Sequence, residues 1–365
     1  MSANISVSTL EVRKDDWADT RIKTETLAGD LKENEVLFKV DRQALTTNNI
    51  SYASAGDMLD YWGFFPTDEG WGRIPGMGWG EVIASAHPNV AVGERTWGFY
   101  PYSTHHKILA GKAGEGAFSD VSPHRAKHAP IYSQFDRASA NPIYEPARED
   151  QDSLMRGLFL TSWLVEDLID VDDSFGSKNC LITSASSKTS IALAYSVKAR
   201  GKLASIGITS PGNVAFCESL GCYDQVVTYD EVTNMDASQP AVMVDMAGNA
   251  KVISALHHHY GDNMKYSCRI GATHFSAMGS SKNLPGAKPV FFFAPSHRES
   301  RSAELGVEVL TNRMWAAFAG FRQFCDDWMT VERSFGADAV TQTYQLILAG
   351  KADPASGQIV SLASN

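Results

Sequence analysis

Short apolar runs broken by Gly and Pro fill the first 140 residues. Glu35-Val-Leu-Phe-Lys-Val-Asp41, Gly78-Trp-Gly-Glu-Val-Ile-Ala-Ser-Ala86 and Thr96-Trp-Gly-Phe-Tyr100 are the clearest. Short strand-like runs at regular spacing predict a barrel or sandwich-like unit. The texture changes near residue 140, and the Pro-containing, charged stretch 138–150 reads as a boundary. Beyond it, strand and helix patterns alternate. Residues 153–169 carry a helical apolar pattern, and Cys180–Thr183 reads as a buried strand. A helix follows over Ile191–Arg200, with Ile191, Ala194 and Val197 on one face. Strands are expected at Leu203–Ile208, Gln225–Tyr229, Ala241–Asp245, Tyr266–Gly271 and Pro289–Ala294, with helices at 213–220 and 249–260. Such alternation means βαβ units and a parallel sheet. A helical region covers 300–333, and Gln358–Leu362 is a strand that would return to the first domain. The expectation is an α/β protein: a β-rich domain over 1–145, completed by 305–365, and a doubly wound parallel-sheet domain over 146–304.

Composition narrows the function. Of 365 residues, 42 are acidic and 32 basic, a formal charge of −10. That balance argues against electrostatic binding to nucleic acid or to an anionic membrane. No apolar run reaches the ~18 residues of a membrane span, and the polar start shows no apolar leader core. The cytoplasm is the expected compartment. The cysteines at 180, 217, 222, 268 and 325 are odd in number and form no C-x-x-C pair, so they read as reduced packing residues. The patterns G-x-S-x-G, H-E-x-x-H and G-x-x-x-x-G-K-[ST] are missing.

In a doubly wound sheet, the turn after the first strand is where phosphates bind, facing a helix N-terminus. Here it is Ser184-Ala-Ser-Ser187-Lys188-Thr189-Ser190. Small side chains permit close approach, serine hydroxyls can donate to phosphate, and Lys188 adds charge. The same residues would also make an ordinary Ser-rich helix cap. After the second strand, an acid would hold the ribose hydroxyls of NAD. The chain has Thr209-Ser210-Pro-Gly-Asn213 instead, which suits a 2′-phosphate and favours NADP(H). A plain Pro-Gly turn is the other reading. Asp245 ends the fourth strand, lining the cleft or capping the next turn. His257-His258-His259 point about 100° apart on a helix, so they cannot converge on one metal ion.

In this order, several segments resemble the medium-chain dehydrogenase/reductase superfamily. Arg73-Ile-Pro-Gly76-x-Gly78-x-Gly80-Glu81-Val82-Ile83 and Val90-x-Val92-Gly93-Glu94-Arg95-Thr96-Trp97-Gly98 resemble the glycine-rich runs of its GroES-like domain, with Glu94 in place of the usual Asp. Leu45-Thr-Thr-Asn48-Asn49-Ile-Ser-Tyr52 is similar to its active-site segment. Leu220-Gly221-Cys222 through Tyr229 resembles the end of its third Rossmann strand, and Ile347 to Lys351 with Gly357 to Val360 its close. The Ser-Ala-Ser-Ser-Lys-Thr turn and Tyr61-Trp62-x-Phe64-Phe65-Pro66 resemble the DUF2855 branch. The superfamily's glycine turn falls here on Ser184, Ser187 and Ser190.

The resemblance implies a GroES-like catalytic domain plus a Rossmann domain. Its zinc-binding His is absent at Gly76–Glu81, which points to the zinc-free branch. Those members transfer hydride from NADPH to an activated alkene, carbonyl or quinone. Tyr52 and Asn49 fall where zinc-free relatives place polar active-site groups. Tyr229 and Lys188 are the further cofactor contacts expected. Tyr61, Trp62, Phe64 and Phe65 would wall an apolar or aromatic substrate pocket, with Tyr100 and Tyr102 at its border; packing is the other reading. His105-His106 could serve as acid or base, or be a solvated pair. Arg298 and Arg301 could reach phosphate or lie on the surface. The Phe291–Ala294 strand would build a homodimer or lie in the core. Two competing classes remain: an NADP-binding regulatory protein with little turnover, and a methyltransferase on a similar sheet.

Overall fold

The computed structural model describes residues 4–246, 248–270 and 284–363. The chain divides into two compact units, residues 1–157 with 329–365, and residues 158–328.

The first unit opens with β1 (Ile5–Arg13) and β2 (Thr20–Leu27), an antiparallel pair. Then come β3 (Glu35–Leu45), α1 (Thr47–Ser54), β4 (Trp71–Gly72), β5 (Pro75–Ser85), β6 (Arg95–Pro101), β7 (His105–Leu109), β8 (Ala117–Ser119) and β9 (Gln134–Arg137). The 11-residue β3 is central. It pairs with β5 along one side and with β7 along the other. The order continues β5-β6-β9-β8, and a bridge between Ala110 and Asp120 joins β7 to β8. The ring therefore closes. Val36, Phe38, Val40, Val82, Tyr100, Ile108, Phe118 and Phe135 fill it. The runs Glu35–Asp41, Gly78–Ala86 and Thr96–Tyr100 thus mark the barrel as expected.

Helix α2 (Glu149–Val171) starts in the first unit and runs into the second. The second unit holds β10 (Asn179–Thr183), α3 (Lys188–Arg200), β11 (Ala204–Thr209), α4 (Val214–Ser219), β12 (Gln225–Thr228), β13 (Ala241–Asp245), α5 (Ala250–Tyr260), β14 (Met264–Ile270), β15 (Val290–Phe292), α6 (Ala294–Leu305) and α7 (Val307–Asp326). All pairings are parallel, in the order β12-β11-β10-β13-β14-β15. Numbered within the unit this is 3-2-1-4-5-6, the doubly wound order of dinucleotide-binding sheets. Residues Cys180 to Thr183 and Ala241 to Asp245 are buried throughout, as central parallel strands require. In β11, Gly207 sits where a Cβ would lie 2.8 Å from the Tyr223 ring and 2.9 Å from Ala185. That contact seats the first βα turn against the sheet.

The chain then returns with β16 (Thr330–Phe335), α8 (Ala337–Leu348) and β17 (Ser356–Ser361). β17 pairs with β3 (Ile359 opposite Ala44), so the last strand completes the first unit as expected. No helix among the described residues is long and apolar enough to cross a membrane.

Several expectations shift. The helical region expected over 300–333 is broken at Gly306 (φ 87°), which separates α6 from α7. It also ends early, because Thr330–Phe335 pairs in parallel with β17 as a strand. The division falls at Gly157/Leu158 and Trp328/Met329 rather than at 145/146 and 304/305. α7 packs within the second unit, Phe318 and Phe321 lying 5.4 and 4.9 Å from the Phe159 ring. The Phe291–Ala294 strand is β15, and Ala294 already begins α6, with Pro295 in its first turn. Gly271, expected to end a strand, lies outside the described residues.

Candidate functional site

The second unit offers one edge where polar groups gather, at the C-terminal ends of β10, β11 and β13. Ser184 leaves β10 with φ 53°, a left-handed conformation uncommon for a residue bearing a Cβ. Ser187 is the N-cap of α3. Its Oγ accepts from the Ser190 backbone N–H at 3.2 Å and lies 2.8 Å from the Ser190 Oγ. Ser190 is buried and donates to the Thr183 carbonyl at 2.8 Å. Ser187 and Ser190 therefore hold the turn, while Ser184 lies 3.3 Å from the Tyr229 hydroxyl. The backbone N–H groups of Ser186 and Thr189 make no hydrogen bond among the described residues. Lys188 is the half-buried first residue of α3. Free N–H groups at the start of a 13-residue helix, lined by small side chains, fit a pyrophosphate.

The loop after β11 is tied to this turn. The Asn213 amide donates to the Ser186 Oγ at 2.9 Å and to the Ser210 Oγ at 3.1 Å. Ser210 and Asn213 thus stand beside the turn. Thr209 does not: it is buried, with its hydroxyl against the Cys217 thiol, so it cannot face a 2′-phosphate.

Asp245 is 1% exposed. Its Oδ1 accepts from the Thr183 Oγ1 at 2.7 Å and its Oδ2 from the Gly248 N–H at 2.8 Å. Thr183 Oγ1 in turn accepts from the Met246 N–H at 3.0 Å. Asp245 therefore caps the turn after β13 and fastens the first strand to the fourth. Sequence reasoning missed Thr183 and also Arg269, the last residue but one of β14, with its Nε 3.9 Å from the Asp245 Oδ2. A charged residue between the apolar Cys268 and Ile270, near the end of a strand, was the available signal.

In the first unit, Asn49 and Tyr52 lie on α1. Asn49 is buried; its Oδ1 accepts from the Thr46 N–H at 2.7 Å and its Nδ2 donates to the Pro75 carbonyl at 2.9 Å. These bonds cap α1 and tie it to β5, so Asn49 positions the helix. Tyr52 is half-buried, its ring 4.8 Å from Tyr61 and 6.2 Å from Phe99. Tyr132, which sequence reasoning passed over, places its hydroxyl 3.5 Å from that of Tyr61. Burial, followed by the neighbouring tyrosine, raises the Tyr52 and Tyr61 hydroxyls well above the ordinary phenol range; burial also raises Tyr132. All three remain neutral donors at physiological pH.

Other candidates are structural. Trp62, Phe64 and Phe65 are buried, leaving Tyr61 as the half-buried member of that group. Tyr100 and Tyr102 lie in the interior, 2.7 Å from the Thr96 Oγ1 and donating to the Ala44 carbonyl at 2.6 Å. His106 packs against Phe65 and Tyr100, and burial pushes it down to about 4, so it is neutral rather than a solvated acid. Arg301 is buried against Asp167 at 2.8 Å, far from a role on phosphate. His257 is held by the Pro285 carbonyl and the Ser267 Oγ, His258 by the Ser254 carbonyl and His259 by the Met235 carbonyl. Among the described residues no three His, Cys, Asp or Glu side chains are grouped to hold a metal ion.

A closed β-barrel unit and a unit with a 3-2-1-4-5-6 sheet are the two parts that the sequence resemblance implies. Residues 43–353 match the family described as protein of unknown function, DUF2855, and the chain belongs to that family. Solved structures with the same fold include Etr1p in complex with NADP and crotonyl-CoA (TM-score 0.59, 15% identity, covering 98% of this chain and 100% of that one). A human synaptic vesicle membrane protein VAT-1 homolog-like protein aligns at TM-score 0.59 and 11% identity, covering 99% and 100%. A putative NADPH:quinone reductase from Bacillus thuringiensis aligns at TM-score 0.58 and 12% identity, covering 98% and 99%. No curated protein matches the chain by sequence.

The tyrosine cluster generates a pH prediction. A phenol whose folded value lies above its unfolded value of about 10 contributes stability that is full below that pH and is lost as pH rises towards the folded value. Unfolding free energy from denaturant titrations should therefore fall above about pH 10, and Tyr52→Phe should make the fall shallower. An identical alkaline profile in Tyr52→Phe would show that Tyr52 ionises freely in the folded protein.

Proposed function

We propose that this protein is a zinc-independent, NADPH-dependent oxidoreductase that reduces an activated alkene, carbonyl or quinone on a small apolar or aromatic molecule. The observation that carries this reading is the Ser184–Ser190 turn at the head of α3, in a sheet of dinucleotide-binding order. The resident cofactor would be NADP(H). Ser184, Ser186, Lys188 and Thr189 would hold the pyrophosphate, and Ser187 and Ser190 would keep the turn in shape. Ser210 and Asn213 would face the 2′-phosphate, with Tyr229 beside them. NADPH would supply the hydride.

The chain's own contribution to the chemistry would come from Tyr52. Reduction of an enone or quinone builds negative charge on the substrate oxygen. A phenol that stays protonated can donate to that oxygen, and such a donor counts for more in the transition state than in the ground state. Asn49 would act through α1 by fixing the turn that carries Tyr52.

Assembly belongs to the same proposal. β15 ends the sheet among the described residues, and Val290 and Phe293 are 46% and 41% exposed there. An apolar edge strand wants a partner. A homodimer through β15 would supply one. The five buried thiols would stay reduced in the cytoplasm.

Three measurements test this. Titration with NADPH and NADH should show tighter NADPH binding, and Ser210→Asp should weaken NADPH by about fivefold or more, since a like charge at ~4 Å costs at least about 1 kcal/mol. Equal or tighter NADH binding by the unaltered protein refutes the cofactor assignment. Tyr52→Phe should keep NADPH affinity and melting temperature yet lose about 2.7–4 kcal/mol of transition-state stabilisation, roughly two to three decades in turnover. Unchanged turnover of a quinone such as menadione makes Tyr52 a pocket wall only. Light scattering at micromolar concentration should give twice the 39.7 kDa chain mass; a monomer there removes the dimer.

A further inference from the structure

At the register of Asp245, a row of residues crosses the second sheet. Asp245 pairs with Arg269, and Arg269 pairs with Phe291. Register partners on parallel strands point to the same face. Thr183 already binds Asp245 from the other side. The row therefore reads Thr183, Asp245, Arg269, Phe291, at the C-terminal ends of the strands.

Arg269 is the unmatched member. Its side chain is 16% exposed and its Nε is buried with no hydrogen-bond partner. None of its side-chain N–H groups makes a hydrogen bond with a described residue. Asp245 does not close on it. Both Asp245 oxygens already accept bonds from Thr183 and Gly248, and the Arg269 Nε stays 3.9 Å away, beyond hydrogen-bond distance. A guanidinium brings five donors in a planar fork suited to a carboxylate or phosphate. Leaving the buried Nε unmatched is costly.

Position says which anion. Ligands of doubly wound sheets bind outside the carboxyl ends of the strands, around the point between the first and fourth strands. The pyrophosphate belongs to the turn after the first strand. Arg269 lies two strands further on, about 10 Å away, in the half of the sheet that serves the second mononucleotide. The exposed ring of Phe291 flanks it.

We propose that Arg269 binds a carboxylate on the substrate, so that the protein acts on an electron-poor alkene or carbonyl compound that is also an acid. This rests on the oxidoreductase reading above. Arg269 sets specificity by pairing both oxygens of the carboxylate in its fork, with the Phe291 ring against the apolar part of the molecule.

The probes are trans-3-benzoylacrylate, an aromatic enone acid, and its uncharged methyl ester, with NADPH as reductant. The unaltered protein should favour the acid in kcat/KM. Arg269→Gln should lower the acid-to-ester ratio by about tenfold to a hundredfold, with ester turnover and NADPH affinity unchanged. Arg269→Lys keeps the charge without the fork and should fall between the two. Equilibrium binding of the acid should weaken in the same order, a readout that needs no turnover. The proposal is overturned by an unchanged ratio and unchanged acid binding in Arg269→Gln. It is also overturned by weakened NADPH binding with acid and ester affected alike, because the anion would then be the cofactor's. A large fall in melting temperature with the ratio unmoved in both variants makes Arg269 a structural partner of Asp245 and overturns it too. If NADPH neither binds nor supports reduction of acid, ester or menadione, the oxidoreductase reading fails separately, and acid binding alone then decides the role of Arg269.

Discussion

The hydrogen bond from the Thr183 hydroxyl to the Asp245 carboxylate, 2.7 Å long, fastens the first strand of the parallel sheet to the fourth. In a sheet of this order these two strands are neighbours in space but arise from two different βαβ halves. Their junction is where the crossovers diverge to opposite sides, and a crevice opens at the strand ends. A buried carboxylate there is tolerable because each oxygen accepts from a neutral donor of fixed geometry, a threonine hydroxyl and a backbone N–H. The pair sets the depth of the crevice floor. It also settles where the turn after β10 must start, since Thr183 is the residue before Ser184.

That turn shows how a chain without the usual glycines can keep the backbone near a phosphate. Ser184 adopts the left-handed conformation that glycine ordinarily supplies, at a strain cost of about 1–3 kcal/mol. The hydroxyls of Ser187 and Ser190 turn inward to cap α3 and to bind the Thr183 carbonyl, so they do not crowd the space in front of the helix. Glycine is kept one strand over, at Gly207, where the Tyr223 ring and Ala185 leave no room for a side chain. Tyr223 donates to the Ala185 carbonyl at 2.7 Å and so braces the turn from behind. The space in front is left to groups that can meet an anion: the N–H groups of Ser186 and Thr189, and the Ser210–Asn213 loop tied to Ser186.

The sheet was legible because its strands are buried on both faces. A run such as Cys180-Leu-Ile-Thr183 between polar turns has few other uses. The last strand was legible as the short run Gln358-Ile-Val-Ser-Leu362, which lies buried through Ser361 and pairs with β3. The end of the 300–333 region was not: Thr330–Phe335 has no pattern of its own that outweighs the helix before it, and pairing with β17 decides its state. The site was legible by strand end but not by side-chain direction. Thr209 and Ser210 are adjacent in sequence, yet one faces the interior and the other the loop. Asn49 and Tyr52 lie three residues apart on one helix, yet Asn49 has its amide taken up by capping bonds and Tyr52 does not. Tyr132 joins Tyr61 across 71 residues, a distance no local pattern reveals.

Buried charges are settled in different ways, and Arg269 differs from the arginines whose fork is closed by a carboxylate. Arg95 meets Glu149 through two bonds of 2.8 and 2.7 Å, and Arg200 meets Glu166 through two of 2.9 and 2.8 Å. Arg301 meets Asp167 at 2.8 Å, and its other end meets Glu304. In these pairs the fork is filled, so desolvation is offset by short charge-assisted bonds. Asp245 takes the other route and is satisfied by neutral donors. Its neighbour Arg269 is then left with Coulomb attraction at 3.9 Å and no bond. A carboxylate that needed the arginine would have closed that gap by a side-chain rotation. The gap persists because Thr183 and Gly248 hold Asp245 in place, which leaves the guanidinium fork of Arg269 without a hydrogen bond among the described residues.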